Sequence, residues 1–164
     1  MGEFRCSLLL RADDGSGLEL KVVGYETPHA VDARDDWLVI NVRMKVGSES
    51  WEAEDPALVW EEARDLSKWL EGIARDDPRA GWSIDFLEPV LLFEALRRTQ
   101  DSILLRVYCQ KFPKPAPKEH FSKVLWFSRE QIKRGAEELR SELQQFPSCF
   151  PLDESDDDGD ADST

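Results

Sequence analysis

The sequence predicts an α+β fold in which an antiparallel β-sheet of about seven to eight strands packs with two amphipathic helices. Two observations lead to this prediction. Short segments in which apolar and polar residues alternate recur along the chain, as half-buried strands do. Two longer segments instead repeat apolar residues every three or four positions, as surface helices do. Each helical segment follows a run of strands, an order that is typical of α+β domains.

The first two strands are predicted at residues 4–10 and 18–23, where apolar residues occupy alternate positions. Between them, the aspartates and glycines of residues 13–17 favour a turn. The chain is therefore expected to open with a β-hairpin.

A second hairpin is predicted at the centre of the chain. Its first strand, residues 37–45, carries apolar residues at alternate positions from Leu38 to Met44. Gly47 follows at a position that suits the positive φ of a primed turn, and residues 50–53 return as a short fourth strand.

The first helix is predicted to begin at Asp55 and Pro56. An Asp at the N-cap accepts hydrogen bonds from free backbone N–H groups, and Pro fits the first helical position. The apolar residues of this segment fall on one helical face: Val59, Ala63, Leu66, Leu70 and Ile73. The Asp, Pro and Gly residues at 76–81 are expected to end the helix and turn the chain.

Three further alternating segments predict strands at residues 82–86, 91–95 and 103–109, and residues 121–127 predict the last strand. The proline-rich excursion at 111–118 is interpreted as a break that blunts the edge of the sheet.

The second helix is predicted to follow Ser128, which has the spacing of a capping box with Gln131. Pro147 is expected to stop this helix. Its buried stripe is predicted from the apolar spacing: Ile132, Ala136, Leu139, Leu143 and Phe146.

Composition predicts a single domain at residues 1–151 and a disordered acidic tail at residues 152–164. The chain has 164 residues, of which 41% are hydrophobic, and this suits one core. Its formal net charge is −13. The tail holds seven acidic residues and no basic one, which leaves 27 acidic against 21 basic residues and a net charge of −6 elsewhere. The tail also lacks apolar periodicity.

The charge and the cysteines limit the partners and the compartment. Nucleic acids and anionic membranes are bound through Lys and Arg, so we expect neither as a partner of an acidic chain. Cys6, Cys109 and Cys149 are odd in number and widely spaced, and predict neither a disulfide framework nor a metal pair. With no signal-peptide pattern and no long apolar run, a cytoplasmic location is expected.

No motif in the sequence predicts catalysis, a cofactor or a metal site. The two histidines, His29 and His120, fall in predicted loops and lack the spacing of metal ligands. Glycine-rich phosphate loops and a Gly-x-Ser-x-Gly nucleophile motif are absent from the sequence. Neighbouring carboxylates such as Asp35 and Asp36 could serve acid–base chemistry, but a solvated acidic rim is the simpler interpretation. We therefore expect a binding protein rather than an enzyme.

Several short motifs support a more specific interpretation. They are Gly24-Tyr-Glu, Asp32-Ala-Arg-Asp-Asp-Trp-Leu, Asp55-Pro-Ala-Leu, Trp69-Leu and Phe86-Leu-Glu-Pro-Val-Leu. In these motifs the chain resembles small bacterial immunity proteins, and the WapI family in particular, over about its first two-thirds. The chain departs from the family pattern at Arg34, Asp35 and Asp36, and it adds the acidic tail.

The resemblance implies a bacterial protein that neutralises the nuclease region at the C-terminus of a wall-associated contact-inhibition toxin. Such a protein binds its cognate toxin domain without catalysis or a cofactor. A nuclease presents a basic substrate face, to which an acidic surface is complementary. We predict this surface around the central hairpin. The predicted partner-binding residues are Asp32, Asp35, Asp36, Trp37, Glu49, Trp51, Glu52 and Glu54.

Two other interpretations stay open at the level of the sequence. The chain could be a generic protein-interaction domain, or a small-molecule-binding protein with a deep pocket lined by convergent polar groups. Trp37 and Trp51 likewise have an alternative role as core or edge packing instead of contact residues.

Overall fold

The structure is a computed structural model that describes residues 8–28, 35–112 and 121–149. Within these ranges it contains eight β-strands and two α-helices. The strands are β1 (Leu8–Arg11), β2 (Gly17–Tyr25), β3 (Trp37–Val46), β4 (Glu49–Val59), β5 (Ser83–Asp85), β6 (Leu91–Arg98), β7 (Ser102–Cys109) and β8 (Ser122–Ser128). The helices are α1 (Trp60–Ala74) and α2 (Arg129–Gln145). The predicted α+β class, strand number and helix number are therefore confirmed.

The strands form two four-stranded antiparallel sheets rather than one continuous sheet. Sheet A has the order β1-β2-β3-β4 and sheet B the order β5-β6-β7-β8, so each is a meander of consecutive strands. Alternation along a strand shows which residues face the core, but not which strand lies alongside. The sequence pattern therefore did not separate the two sheets. In the chain, α1 lies between the last strand of sheet A and the first strand of sheet B.

One face of each sheet and one face of each helix enclose a common hydrophobic core. Sheet A contributes buried residues such as Leu10 and Ile40, and sheet B contributes Phe93. The ring of Trp69 in α1 lies 6.5 Å from that of Phe93, centroid to centroid. The predicted stripe of α1 is buried at Ala63, Leu66, Leu70 and Ile73.

Helix α2 packs closely against β1 at Gly135. A Cβ atom at this position would lie 2.8 Å from Cδ2 of Leu10, whose side chain is fully buried. Glycine therefore allows the helix and the sheet to approach each other. The predicted stripe of α2 is buried at Ile132, Ala136, Leu139 and Leu143.

The start of α1 differs from the prediction. Strand β4 continues through Asp55 and Pro56, both of which pair with β3, and the helix begins only at Trp60. Because β4 is an edge strand, the missing N–H of Pro56 is tolerated. Burial of Leu58 against the core favours the longer strand over an earlier helix start. Pairing with β3 thus outweighs the local helix-start signal.

Both helices begin with hydrogen bonds between a side chain and the backbone. In α1, Oε2 of Glu62 accepts a hydrogen bond from the N–H of Val59 at 3.0 Å. The predicted capping box of α2 is confirmed: Ser128 Oγ accepts from the Gln131 N–H at 3.1 Å, and Gln131 Oε1 accepts from the Ser128 N–H at 2.9 Å. Such caps satisfy N–H groups that the helix itself leaves without partners.

Charged side chains join the two helices. Glu71 of α1 forms ion pairs with Arg140 of α2 and with Arg75. The hydrogen bond from Arg140, together with the positive charges of Arg140 and Arg75, keeps the pKa of Glu71 below its usual range. At the other end of α2, Arg129 Nη1 donates to two carbonyl groups of the last turn of α1, at 3.0 and 3.2 Å.

Several sequence predictions concern residues outside the described ranges. They are the start of the first strand, Cys6, both histidines, most of the proline-rich excursion and the acidic tail at residues 152–164. These stay predictions.

Candidate functional site

The central hairpin of β3 and β4 builds the polar outer face of sheet A. Gly47 in its turn has a φ of 60°, the positive value that the predicted turn requires. Side chains alternate across a strand, so every second residue of the hairpin points away from the core. Asn41 lies opposite Glu54 across the ladder, and Arg43 lies opposite Glu52.

These four side chains form one hydrogen-bonded group. Asn41 Nδ2 donates to Glu52 Oε1 at 3.0 Å and to Glu54 Oε2 at 3.4 Å. Arg43 Nε lies 3.1 Å from Glu52 Oε1. The hydrogen bonds from Asn41 and then from Arg43 lower the pKa of Glu52. The Glu52 carboxylate is therefore ionised at neutral pH.

The outer face of sheet A carries both signs of charge. A shallow hollow of about 250 Å³ on this face is lined by Glu19, Lys21, Val23, Asn41, Arg43, Glu52 and Glu54. Arg11 and Lys45 lie towards the turn end of the same sheet. Exposed carboxylates are concentrated on β4, at Glu49, Glu52 and Glu54, and we call these three residues the acidic edge.

The predicted contact residues divide between the two ends of the hairpin. Glu49 follows the turn, whereas Asp35 and Trp37 lie at the start of β3. A strand of this length spans roughly 30 Å, so Asp35 and Glu49 do not belong to one compact site. Asp32 lies outside the described residues.

The two tryptophans of the predicted site are half-buried. The ring of Trp51 packs edge-to-face with Phe121, with centroids 4.9 Å apart. Lys123 Nζ lies 5.1 Å from the centroid of the Trp51 ring. Trp51 thus contributes to the packing of β4 beside the start of β8, and it brings the acidic edge close to sheet B.

Asp36 is 5% exposed and holds the segment that follows α2. Its Oδ2 accepts a hydrogen bond from Ser148 Oγ at 2.7 Å, and its Oδ1 accepts a long one from the Cys149 N–H at 3.5 Å. The carboxylate is therefore occupied within the chain. Asp36 has a structural role here and offers no exposed charge to a partner.

Residues 146–149, which we call the C-terminal clasp, are also held by two aromatic side chains. Trp60 Nε1 donates to the carbonyl oxygen of Phe146 at 2.8 Å. The hydroxyl of Tyr25 donates to the carbonyl of Pro147. The clasp therefore connects β2, the start of β3 and the first residue of α1.

The outer face of sheet B, which sequence reasoning missed, is largely apolar. Its exposed or half-buried apolar and aromatic residues form the apolar face: Leu92, Leu96, Leu104, Tyr108, Val124 and Trp126. The sequence does contain a signal for it. In β7 and β8 both alternating sets of residues include large apolar side chains, whereas a strand with one solvated face alternates apolar with polar residues.

A groove of about 670 Å³ runs between the two helices, lined by residues that include Trp60, Arg64, Glu71 and Leu143. Across residues 8–28, 35–112 and 121–149, no three His, Cys, Asp or Glu side chains come together in a way that would hold a metal ion. Neither helix in the described part of the chain is long and apolar enough to span a membrane.

Two broad open faces, one charged and one apolar, suit contact with another protein better than enclosure of a small ligand. The features are those of a protein-binding module. More specifically, the chain belongs to the immunity protein WapI-like family, whose sequence profile matches residues 9–147. The match runs from β1 into the C-terminal clasp, and it confirms the resemblance seen in the short motifs. Comparison with curated proteins and with solved structures gave no match.

Proposed function

We propose that this protein neutralises a cognate bacterial toxin by binding its C-terminal toxic domain and covering the active or substrate-binding face of that domain. The observation that carries the proposal is membership of the immunity family over residues 9–147. That range contains nearly all of both sheets and both helices. The protein acts by binding alone, in the cytoplasm, and requires no cofactor.

Charge supports a nuclease as the toxin. A nuclease holds nucleic-acid phosphates on a basic surface, and this chain carries a net charge of −13. Attraction between a basic toxin surface and the acidic edge would speed association and orient the partners. Asp35 and Trp37 form a second contact region in this proposal, at the far end of β3, and Asp32, outside the described residues, stays a predicted contact residue from the sequence alone. Asp36 and Trp51 are left out because they serve the packing of the chain.

A co-expression experiment tests the function. The toxin gene is expected next to the gene for this chain, and its C-terminal domain is produced alone or together with the full chain. We expect growth arrest with the toxin domain alone, and restored growth and a stable complex when both are produced. A chain that neither protects the cells nor binds the purified toxin domain would refute the proposed function.

Charge reversal tests the acidic edge. The double variant Glu49→Lys with Glu54→Lys is compared with a matched reversal of two exposed α2 acids, Glu130→Lys with Glu137→Lys. We expect the association rate at low salt to fall about tenfold for the acidic-edge variant and to change less than about twofold for the control. Equal rates for the two variants would remove the acidic edge from the proposal and leave only the effect of net charge.

A further inference from the structure

The apolar face of sheet B is unusual for the solvent-facing side of an antiparallel sheet. That side is normally polar, as it is in sheet A. Here Leu96, Val124 and Trp126 are 39, 42 and 43% exposed. Leu104 lies opposite Trp126 across the ladder, which brings apolar side chains of β7 and β8 together. Contiguous exposed apolar side chains are a common feature of protein interaction sites.

An ion pair lies within the apolar face. Arg106 Nη1 is 3.0 Å from Glu94 Oε2, and the two side chains keep 43% and 31% of their exposure. Arg106 lies opposite Val124 in the ladder. A partner that covered this face would bury two charges that already neutralise each other, which is less unfavourable than burying one alone. Trp, Tyr and Arg side chains, all present here, are among those that contribute most to binding at protein interfaces.

Arg97 places a positive charge at the margin of the apolar face. It is exposed and lies opposite Leu104 across the β6–β7 ladder. Among the described residues it makes no ion pair or hydrogen bond. A partner with a carboxylate beside an apolar protrusion would therefore complement both Arg97 and its apolar neighbours.

We propose that the apolar face of sheet B is the surface that anchors the toxin domain. An apolar protrusion of the toxin packs on Val124 and Trp126, and an adjacent carboxylate pairs with Arg97. This inference rests on the proposed function and names the surface that holds the toxin once the acidic edge has attracted it. A second copy of the chain fits less well, because two molecules of net charge −13 repel each other whereas a basic toxin is attracted.

The acidic edge and the apolar face have different roles in this proposal. The contact between Trp51 of β4 and Lys123 of β8 joins the two sheets on their core side, because Lys123 alternates along β8 with Val124 and Trp126 of the apolar face. Electrostatic attraction mainly raises the rate of association, whereas packed aromatic anchors mainly slow dissociation. Substitutions in the acidic edge are therefore expected to slow association with the toxin domain, and substitutions in the apolar face are expected to speed dissociation.

The test compares two valines of similar exposure on the two outer faces. Val124 on the apolar face is 42% exposed, and Val23 on sheet A is 46% exposed. Binding of the purified toxin C-terminal domain is measured with the full chain, with Val124→Lys, with Val23→Lys and with Trp126→Ala. We expect dissociation to be about tenfold faster for V124K and about thirtyfold faster for W126A. The dissociation rate of V23K should change less than about twofold, because a charge added beside the acidic edge acts on association instead.

Each outcome bears on a different statement. If the wild-type chain does not bind the toxin domain, the proposed function itself fails. If the wild type binds and both V124K and W126A bind as tightly, the apolar face is not the anchor. Equal acceleration of dissociation by V23K and V124K also overturns the inference, because the effect is then not specific to sheet B. If W126A does not fold, as judged by circular dichroism, the exposed V124K substitution still decides the question.

Sedimentation of the chain without the toxin domain tests whether a second copy of the chain covers the apolar face. We expect a monomer for the wild type and for V124K. A wild-type dimer that V124K dissociates, combined with unchanged toxin binding, would assign the apolar face to self-association and overturn the proposal.

Discussion

Asp36 shows how a contact distant in sequence decides the role of a single residue. It is 5% exposed and accepts a hydrogen bond from Ser148, 112 positions later in the chain. Its neighbour Asp35 is exposed. The run of acids predicted a solvated rim, and that description suits Asp35 but not Asp36. The local sequence pattern at residues 32–36 does not indicate that the C-terminal clasp contacts Asp36.

Replacing Asp36 with Ala is expected to lower the free energy of unfolding by about 2 kcal/mol, because the Ser148 hydroxyl and the Cys149 N–H lose a charged acceptor. Urea denaturation measures the change. Asp35→Ala is the matched control, with an expected effect within about 0.5 kcal/mol. Ser148→Ala should cost about 1 kcal/mol alone and little more when added to Asp36→Ala. Strict additivity of the two substitutions would contradict the hydrogen bond between them.

At the scale of elements, the sequence predicted structure where local signals and tertiary pairing agree. The capping box of α2 was found as predicted, and so was its apolar stripe except at Phe146, which follows the helix and is only partly buried. Asp55 and Pro56 gave an equally clear helix-start signal, yet they lie in β4 because pairing with β3 continues past them. The same limit applies to the apolar face of sheet B. Except for Leu96, its residues lie in the predicted strands, but their exposure depends on which surfaces the rest of the chain covers.

The capping box of α2 gives a prediction for this element. Ser128→Ala removes the acceptor of the Gln131 N–H and should destabilise the protein by about 1 kcal/mol in thermal or urea unfolding. Ser141→Ala, at an exposed position inside the same helix, is the control. It should be neutral or slightly stabilising, because Ala has the higher helix propensity. Similar losses for both variants would mean that the cap contributes nothing specific.

Glu71 predicts a pH dependence for the contact between the helices. The hydrogen bond from Arg140, assisted by the charges of Arg140 and Arg75, lowers the pKa of Glu71 in the folded chain from its ordinary value of 4.5. The ionised form therefore stabilises the fold. This contribution is fully present above pH 4.5 and is lost as the pH falls through the folded pKa.

Glu71→Gln should accordingly destabilise the protein by about 0.5–1 kcal/mol at pH 7. At pH values below the pKa of Glu71 in the folded chain, the variant and the wild type should have the same stability. Urea unfolding at several pH values measures the difference. Glu137→Gln, an exposed α2 position without an ion pair in the described structure, is the control and should show little difference from the wild type at any pH. A constant loss for Glu71→Gln at every pH would show that packing, rather than the ion pair, is responsible.

At the scale of the whole molecule, charge and apolar surface are placed separately. The acidic edge belongs to sheet A, the apolar face belongs to sheet B, and seven of the acidic residues fall in residues 152–164. Composition alone predicted the acidic character of the chain and the absence of a basic surface for nucleic acid. Which face carries the charge and which is apolar follows only from the topology of the two sheets. A protein partner that meets both surfaces would experience long-range attraction and short-range packing in turn.

The acidic tail provides a test of the long-range electrostatic attraction to the toxin domain. Removing residues 152–164 changes the net charge from −13 to −6. Because the tail lacks an apolar pattern, the thermal midpoint should shift by less than about 2 °C. The association rate with a basic toxin domain should fall severalfold at low salt, and the difference should vanish near 0.5 M salt, where screening limits attraction to about 4–5 Å.

A chain of full length with Asn and Gln in place of the seven tail acids is the control for length. It should associate as slowly as the truncated chain, whereas a rate equal to that of the wild type would show that the tail acts through its length and not its charge.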